Sequence, residues 1–146
     1  MNHELEKLSA PHHTILWIDD DPDLLAPNIR VLCAELTESS RHHKRADTFS
    51  VVKAKKLDEG LCILQEGQKI DAIICDLSLG GGQREPNLDD LLRELQVQGR
   101  PIPVIIYSGY DAPRTFGPNA LLRGYAKKPE WEELLHQVQN VFREVK

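Results

Sequence analysis

The sequence predicts an α/β fold in which a five-stranded parallel sheet is doubly wound, with helices on both of its faces. Short apolar runs, several of them rich in β-branched residues, end in polar or turn-forming residues, which is typical of strands buried on both faces. Segments with apolar residues at helical spacing separate these runs. Such alternation implies parallel strands joined by right-handed crossovers. The length of 146 residues corresponds to one domain.

Composition and charge exclude several classes of protein. With 40% apolar residues the chain can bury one core. Its 18 basic and 23 acidic residues give a net charge of −5, which argues against nonspecific binding to nucleic acid or to an anionic membrane surface. The apolar runs are too short to span a bilayer, and the polar N-terminus has no signal-peptide core. We therefore expect a flexible tail over residues 1–12 and a cytoplasmic domain over residues 13–146.

Three cysteines, Cys33, Cys62 and Cys75, lie within apolar stretches. Their number is odd, and their spacing fits no zinc motif. Because the cytoplasm keeps cysteines reduced and these three lie within apolar stretches, we expect three buried, reduced thiols.

The first strand is predicted over residues 14–18, because an apolar run there ends in three successive aspartates. A helix should follow, with Asp21 as its N-cap and Pro22 at its first position. Apolar residues then recur at helical spacing up to Leu36. Pro27 opposes a regular helix, since it removes one backbone hydrogen bond and clashes with the preceding turn. We therefore expect this helix to start late or to bend at Pro27.

The later elements continue the alternation. The predicted strands lie at about 48–54, 70–75, 103–107 and 124–127, and the predicted helices at about 57–66, from the cap Asn87 to Leu95, and from Trp131 to Val145. The segment 111–122 is ambiguous, because two prolines and a glycine in it oppose a regular helix.

Polar residues that can carry chemistry fall at the ends of these predicted strands. Asp19 and Asp20 follow the first strand, and Asp76 follows the third. Ser108 ends the fourth strand and Lys128 ends the fifth. In a flavodoxin-like sheet of order 2-1-3-4-5 these strand ends lie side by side, at the edge where such folds bind ligands.

Each group has a use at such an edge. Carboxylates packed together repel one another, and a hard divalent ion with oxygen ligands, such as Mg²⁺, relieves that repulsion. The same ion can neutralise a phosphoryl group during its transfer. Asp76 can act as a nucleophile, because a carboxylate can form an acyl phosphate. Lys128 can pair with the phosphoryl oxygens while Ser108 donates a hydrogen bond to one of them.

Each of these residues also has an ordinary structural explanation. An aspartate after a strand is usually a turn residue or a helix cap, which is the role assigned to Asp21. Ser108 can belong to a simple turn, and Lys128 can be a solvated side chain. Their joint occurrence at successive strand ends favours a functional site over coincidence.

Four stretches resemble bacterial response-regulator receiver domains. Residues 15–22 resemble the opening strand with its acidic pair, 71–79 the phosphoacceptor strand, 103–109 the strand with the switch Ser or Thr, and 125–129 the switch aromatic followed by the Lys-Pro pair. The resemblance covers residues 13–146, and Lys128, rather than Lys127, aligns with the family lysine because it precedes Pro129.

The resemblance implies a role for each acidic residue of the site. Asp76 would be the phosphoacceptor, and together with Asp20 it would bind Mg²⁺ directly. Asp19 would bind the ion through water, and Ser78 would contribute its backbone carbonyl.

The same resemblance implies the partners and the switch. The phosphoryl donor would be a histidine kinase or a histidine phosphotransfer protein, and Lys128 would contact the transferred group. Ser108 and Tyr125 would form the switch that reaches a downstream effector, which the sequence does not identify, or that promotes a phosphorylation-dependent dimer. The domain would not be an enzyme beyond self-catalysed phosphotransfer and slow autodephosphorylation.

The chain also departs from the family pattern. The family usually has Pro-Gly after the phosphoacceptor strand, whereas residues 80–86 form a longer, glycine-rich stretch. The segment 111–122, which lies where the family places part of its signalling surface, predicts a short or broken helix. The phosphorylation site is therefore better defined by the sequence than the output.

Three other readings compete with this one. The main alternative is an interaction module that has the receiver fold but binds its partners regardless of phosphorylation. Phosphatases with an aspartyl nucleophile carry a second aspartate two residues later, and here that position is Ser78. A calcium loop at residues 19–23 lacks the required glycine and distal glutamate.

Overall fold

The computed structural model describes residues 11–19, 22–42, 46–76, 88–108, 121–128 and 130–144. Their strands are β1 (His12–Ile18), β2 (Thr48–Ala54), β3 (Ala72–Cys75), β4 (Val104–Ser108) and β5 (Leu122–Lys127). Their helices are α1 (Pro22–His42), α2 (Leu57–Gln65), α3 (Leu88–Val97) and α4 (Trp131–Glu144). None of these helices combines the length and apolarity needed to cross a membrane.

The five strands form one parallel sheet in the order β2-β1-β3-β4-β5, which confirms the predicted topology. β1 lies between β2 and β3, so that Ile18 is paired with Ala54 on one side and with Cys75 on the other. The strand order reverses between β1 and β3. The carboxyl ends of these two strands therefore border the crevice where doubly wound sheets bind ligands.

Helices cover both faces of the sheet. Alternate residues of β1 point to opposite faces, so Leu16 and Ile18 join one apolar cluster while Ile15 and Trp17 join another. The first cluster is completed by α2 and α3, the second by α1 and α4. Burial on both faces explains why β1 is a continuous apolar run. Each large side chain buried in this way contributes about 1.5–3 kcal/mol.

Some element boundaries differ from the sequence-based expectation. β1 begins at His12, two residues early, because its backbone pairing with β2 already starts at His12 and Thr48. A bond of 2.6 Å between His12 Nδ1 and Thr48 Oγ1 accompanies this pairing. Helix α1 begins at Pro22 as predicted and continues past Pro27, so the expected late start is wrong. A bend at Pro27 stays a prediction.

One cysteine prediction is wrong. All three cysteines are free, but only Cys75 is buried, while Cys33 is half-buried and Cys62 is exposed. On α2 the buried side chains include Leu57 and Leu64, so position 62 falls on the outer face of that helix.

Several predictions concern residues outside the described part of the chain. They are residues 1–10 of the tail predicted over 1–12, the cap Asp21, the glycine-rich stretch 80–86, the cap Asn87, and residues 111–120 of the segment 111–122.

Candidate functional site

One carboxylate directly follows each of two neighbouring strands. Asp19 follows β1 and Asp76 follows β3, and the two strands are paired as far as Ile18 and Cys75. The Asp19 N–H donates to the carbonyl of Ala54 (2.9 Å), and the Asp76 N–H donates to that of Ile18 (3.1 Å). These bonds fix both aspartates at the same edge of the sheet, where they are 0% and 5% exposed.

Lys128 reaches this edge from the end of β5. Its backbone N–H donates to the carbonyl of Ser108 at 2.8 Å, which fixes where its side chain begins. Its Nζ donates to Oδ2 of Asp19 at 2.7 Å and to Oδ2 of Asp76 at 2.8 Å. The neighbouring Lys127 is exposed. The ammonium of Lys128 therefore bridges two buried carboxylates that belong to different strands.

Electrostatics stabilise this bridge. Burial by itself lowers the pKa of Lys128, but hydrogen bonds and charge from Asp19 and Asp76 outweigh burial and raise that pKa above its ordinary value. Lys128 is therefore protonated at neutral pH. The arrangement holds a positive charge beside any anionic group that becomes attached to Asp76.

Tyr107 also lies beside the site, although the sequence did not predict it as a site residue. The centre of its ring is 5.8 Å from Lys128 Nζ, within the range of a cation–π interaction. Burial raises the pKa of the Tyr107 hydroxyl, and the charge of Lys128 opposes this rise. Its position directly before Ser108 was the available signal, because it places Tyr107 near the end of β4.

Tyr107, Trp17 and Trp131 form an aromatic row on the face covered by α1 and α4. The Trp17 ring meets Tyr107 edge-on at 6.3 Å and stacks on Trp131 at 6.3 Å. Trp17 precedes Asp19 by two residues, and Trp131 follows Lys128 by three. The row therefore connects the surroundings of the site with the first turn of α4.

Cys75 directly precedes Asp76 and is buried. Burial, reinforced by the charges of Asp76 and Asp19, raises the pKa of the Cys75 thiol to about 12. Because the thiolate is the reactive form, this cysteine is an inert core residue at neutral pH. Asp76 is therefore the better nucleophile of the two.

The two predicted switch residues lie on neighbouring strands. Ser108 is fully buried at the end of β4, where it pairs with Lys127, and Tyr125 is half-buried on β5, where it pairs with Ile106. The carbonyl of Tyr125 accepts a hydrogen bond from Gln137 Nε2 of α4 at 2.9 Å. The backbone of β5 is thus tied to α4, and the switching role of Ser108 and Tyr125 stays a prediction.

Two of the four predicted metal ligands, Asp20 and Ser78, lie outside the described residues. Within the described ranges, no group of three or more His, Cys, Asp or Glu side chains could hold a metal ion. Asp19 and Asp76 nevertheless fit the donor chemistry of a hard ion such as Mg²⁺, because they present buried carboxylate oxygens side by side.

No family model and no curated protein matches the sequence. Solved structures do match. A response-regulator receiver domain from Francisella is 20% identical, with a TM-score of 0.60, over 92% of this chain and 99% of that domain. TrrA from Thermotoga maritima, a response regulator solved in complex with Mg²⁺–BeF, is 19% identical, with a TM-score of 0.62, over 88% and 98%. The chemotaxis response regulator CheY4 of Vibrio cholerae is 18% identical, with a TM-score of 0.62, over 89% and 98%.

These likenesses show the fold. The chain has the fold of response-regulator receiver domains, which confirms the fold that the four sequence stretches implied.

Proposed function

We propose that this chain is a phosphoacceptor receiver domain, which takes a phosphoryl group from a phosphohistidine onto Asp76 and thereby alters a protein-interaction surface. The observation that carries the proposal is the Lys128 ammonium, which lies 2.8 Å from Asp76 Oδ2 and 2.7 Å from Asp19 Oδ2. A buried carboxylate beside a fixed cation can accept a group that brings additional negative charge. The receiver fold supports the same conclusion.

Transfer breaks the phosphorus–nitrogen bond of the donor while a carboxylate oxygen of Asp76 forms the new phosphorus–oxygen bond. The donor imidazole leaves with the electron pair of the broken bond and takes up a proton. Lys128 then turns its ammonium from the carboxylate to the phosphoryl oxygens, where it offsets the added charge. Ser108, at the end of the next strand, donates its hydroxyl hydrogen to another phosphoryl oxygen.

Mg²⁺ is the cofactor that we propose for this site. Asp20 and Asp76 would hold it directly, Asp19 through water, and Ser78 through its backbone carbonyl. When bound, the ion neutralises charge on the transferred group. The complex of TrrA with Mg²⁺–BeF supports this choice by analogy of fold.

The proposed partners are proteins. A histidine kinase or a histidine phosphotransfer protein would supply the phosphoryl group in the cytoplasm, and an effector would read the altered surface. Apart from catalysing its own phosphorylation and slow dephosphorylation, the domain would not act as an enzyme.

Mass spectrometry tests the proposal. Incubation with Mg²⁺ and acetyl phosphate should add one phosphate to the chain, and Asp76→Asn should abolish the addition while the fold is retained. Asp58→Asn, at an exposed position of α2, is the matched control and should label like the original chain. Undiminished labelling of Asp76→Asn would refute the assignment.

A further inference from the structure

A cleft of about 740 Å³ lies at the edge of the sheet opposite Asp76. Residues that precede β3 and β4, the beginning of β5, and Val141 of α4 line it. Doubly wound sheets bind small ligands at their carboxyl edge, whereas this cleft lies at the amino edge. Its use is therefore independent of the proposed phosphorylation.

The rim of the cleft is basic. Among the described lining residues, Lys69, Arg100 and Arg123 are basic and Asp71 alone is acidic. The Oδ2 atom of Asp71 accepts the backbone N–H of Thr14 at 2.8 Å and lies 3.9 Å from Lys69 Nζ. The carboxylate of Asp71 is thus already engaged in a hydrogen bond to the backbone of β1. The described lining thus has more basic than acidic side chains, although the whole chain has a net charge of −5.

Arg100 is held rigidly by neutral acceptors. Its Nη1 donates to the carbonyl of Leu64 (2.9 Å) and to Gln98 Oε1 (3.1 Å), and its Nη2 donates to the carbonyl of Gln68 (2.6 Å). The contact with Leu64 also caps the last turn of α2, which explains why the side chain lies there. It does not use all five N–H donors of the guanidinium, and no carboxylate among the described residues pairs with that charge. A fixed cation with donors left over is preorganised for an anion.

The floor of the cleft is apolar. Ile70 and Ile102 are buried there, and Leu121 is half-buried. The described part of the lining contains no serine, cysteine or histidine, which are common nucleophiles. Its chemistry is that of recognition.

We propose that this cleft binds an extended acidic segment of a partner protein, in which carboxylates alternate with apolar side chains. Successive side chains of an extended chain point to opposite sides, so the apolar set can meet the floor while the carboxylates meet the rim. The cleft crosses the ends of β3, β4 and β5, and two strand spacings amount to about 10 Å. That width matches about three extended residues, so several rim cations can be engaged at once, which a small anion cannot do.

The test uses the full chain and the peptide acetyl-Glu-Leu-Glu-Leu-Glu-amide, followed by backbone amide NMR. We expect shifts at Gly99, Arg100 and Leu121, and binding that weakens as salt is added. The matched Gln-Leu-Gln-Leu-Gln peptide should bind roughly tenfold more weakly.

Variants locate the site. Lys69→Gln and Arg123→Gln change exposed side chains, so the fold should persist, and each should weaken binding of the acidic peptide roughly threefold. Lys53→Gln, on the exposed surface of β2, is the control and should leave binding unchanged.

Three outcomes would overturn the proposal. The uncharged peptide could cause the same NMR shifts as the acidic peptide, or Lys69→Gln and Arg123→Gln could both bind the acidic peptide with unchanged affinity. In the third outcome, an equimolar amount of acetate would displace the peptide. The last result would identify a site for simple anions. Asp76→Asn should bind the peptide as the original chain does, so failure of phosphorylation and failure of this surface are distinguishable.

Discussion

Lys128 connects the two carboxylates of the site. Its Nζ is bonded to Oδ2 of both Asp19 and Asp76, so a ligand that takes either oxygen must displace the ammonium or turn it. A cation and Lys128 therefore compete for the same buried carboxylates, while a phosphoryl group and Lys128 attract each other.

This competition gives a first prediction. Lys128→Met removes the charge and retains much of the length of the side chain, so Mg²⁺ should bind roughly threefold to tenfold more tightly. Labelling of Asp76 by acetyl phosphate should become at least about tenfold slower, because the phosphoryl oxygens lose their counter-charge. Calorimetric titration and a mass-spectrometric time course measure the two effects. Lys127→Met is the control, and weaker Mg²⁺ binding by Lys128→Met would contradict the competition.

The raised pKa of Lys128 also predicts a dependence of stability on pH. Because that pKa lies above the ordinary value of 10.5 in the folded chain, the bridge stabilises the fold fully below pH 10.5. Its contribution is lost as the pH rises through the folded pKa. In metal-free buffer, the difference in Tm between the original chain and Lys128→Met should be constant from about pH 7 to 9 and should shrink above about pH 10.5. A difference in Tm that grows as the pH rises would contradict a raised pKa of Lys128 in the folded chain.

The three cysteines should differ in reactivity. Brief treatment with iodoacetamide near pH 8 should modify Cys62 first, since it is exposed. Cys33 should react slowly, because it is half-buried and burial raises its pKa. Cys75, with a pKa of about 12, should react only after unfolding. Peptide mapping distinguishes the three, and modification of Cys75 in the native chain would disagree with its burial.

Among the elements, the sequence predicts the apolar middle of each strand better than its ends. Residues 14–18 were identifiable because the core of β1 is continuous, but His12 and His13 carry no such signal. They belong to β1 because they pair with the distant residues Thr48 and Phe49 of β2. Side-chain bonds from His12 Nδ1 to Thr48 Oγ1 and from His13 Nε2 to Asp47 Oδ2 (3.0 Å) accompany this pairing. Contacts across 34 or more positions in sequence are not encoded in a local pattern.

The contact between β5 and α4 gives a prediction at the scale of elements. A Cβ at Gly124 would overlap the side-chain amide of Gln137 and stand 3.3 Å from the Cβ of that residue. Gly124→Ala should therefore break the bond from Gln137 to the Tyr125 carbonyl and destabilise the fold by about 1–3 kcal/mol. Adding Gln137→Ala should relieve the overlap, so urea unfolding should show a double variant less destabilised than the sum of the single variants. If the destabilisation by the double variant equalled the sum for the two single variants, the proposed contact between residues 124 and 137 would be contradicted.

The aromatic row should influence the rate of phosphorylation. Tyr107→Leu removes the ring near Lys128 Nζ and should slow labelling of Asp76 roughly twofold to fivefold, whereas Tyr107→Phe keeps the ring and should label normally. Phe49→Leu removes a ring far from the site on the same face and is the control. Equal rates for Tyr107→Leu and Tyr107→Phe would show that the ring does not position the ammonium.

For the whole molecule, parallel topology explains how much of the site the sequence predicts. Strand ends in a parallel sheet meet at one edge, so the proximity of Asp19, Asp76 and Lys128 followed from strand order alone. The shared Oδ2 contacts of Lys128 and the ring of Tyr107 beside it could not be predicted. They depend on how side chains on or next to four different strands pack, and periodicity carries no information about that.

The last prediction concerns the switch, which decides between a phosphorylation-driven domain and an interaction module that ignores phosphorylation. A phosphoryl group on Asp76 adds charge and acceptor oxygens at the end of β3. Ser108, fully buried on the neighbouring strand, can then move toward it. The half-buried Tyr125 on β5 can rotate into the space that this movement opens. Two packings that differ by a small free energy would thus be biased by one covalent change.

The opposing view is that Tyr125 keeps one fixed, half-buried position. The hydrogen bond from Gln137 to the Tyr125 carbonyl fixes the backbone at this residue, but it does not prevent the ring from rotating. Side-chain NMR of Tyr125 with and without Mg²⁺ and beryllofluoride separates the two views, because only a switch changes the surroundings of the ring. Ser108→Ala should then abolish the shift of the Tyr125 ring while beryllofluoride still binds, since the hydroxyl couples the two residues. If the mimic binds and the ring keeps its surroundings in the original chain, and partner binding is equal with and without the mimic, the interaction module is the correct description and the signal does not pass through β5.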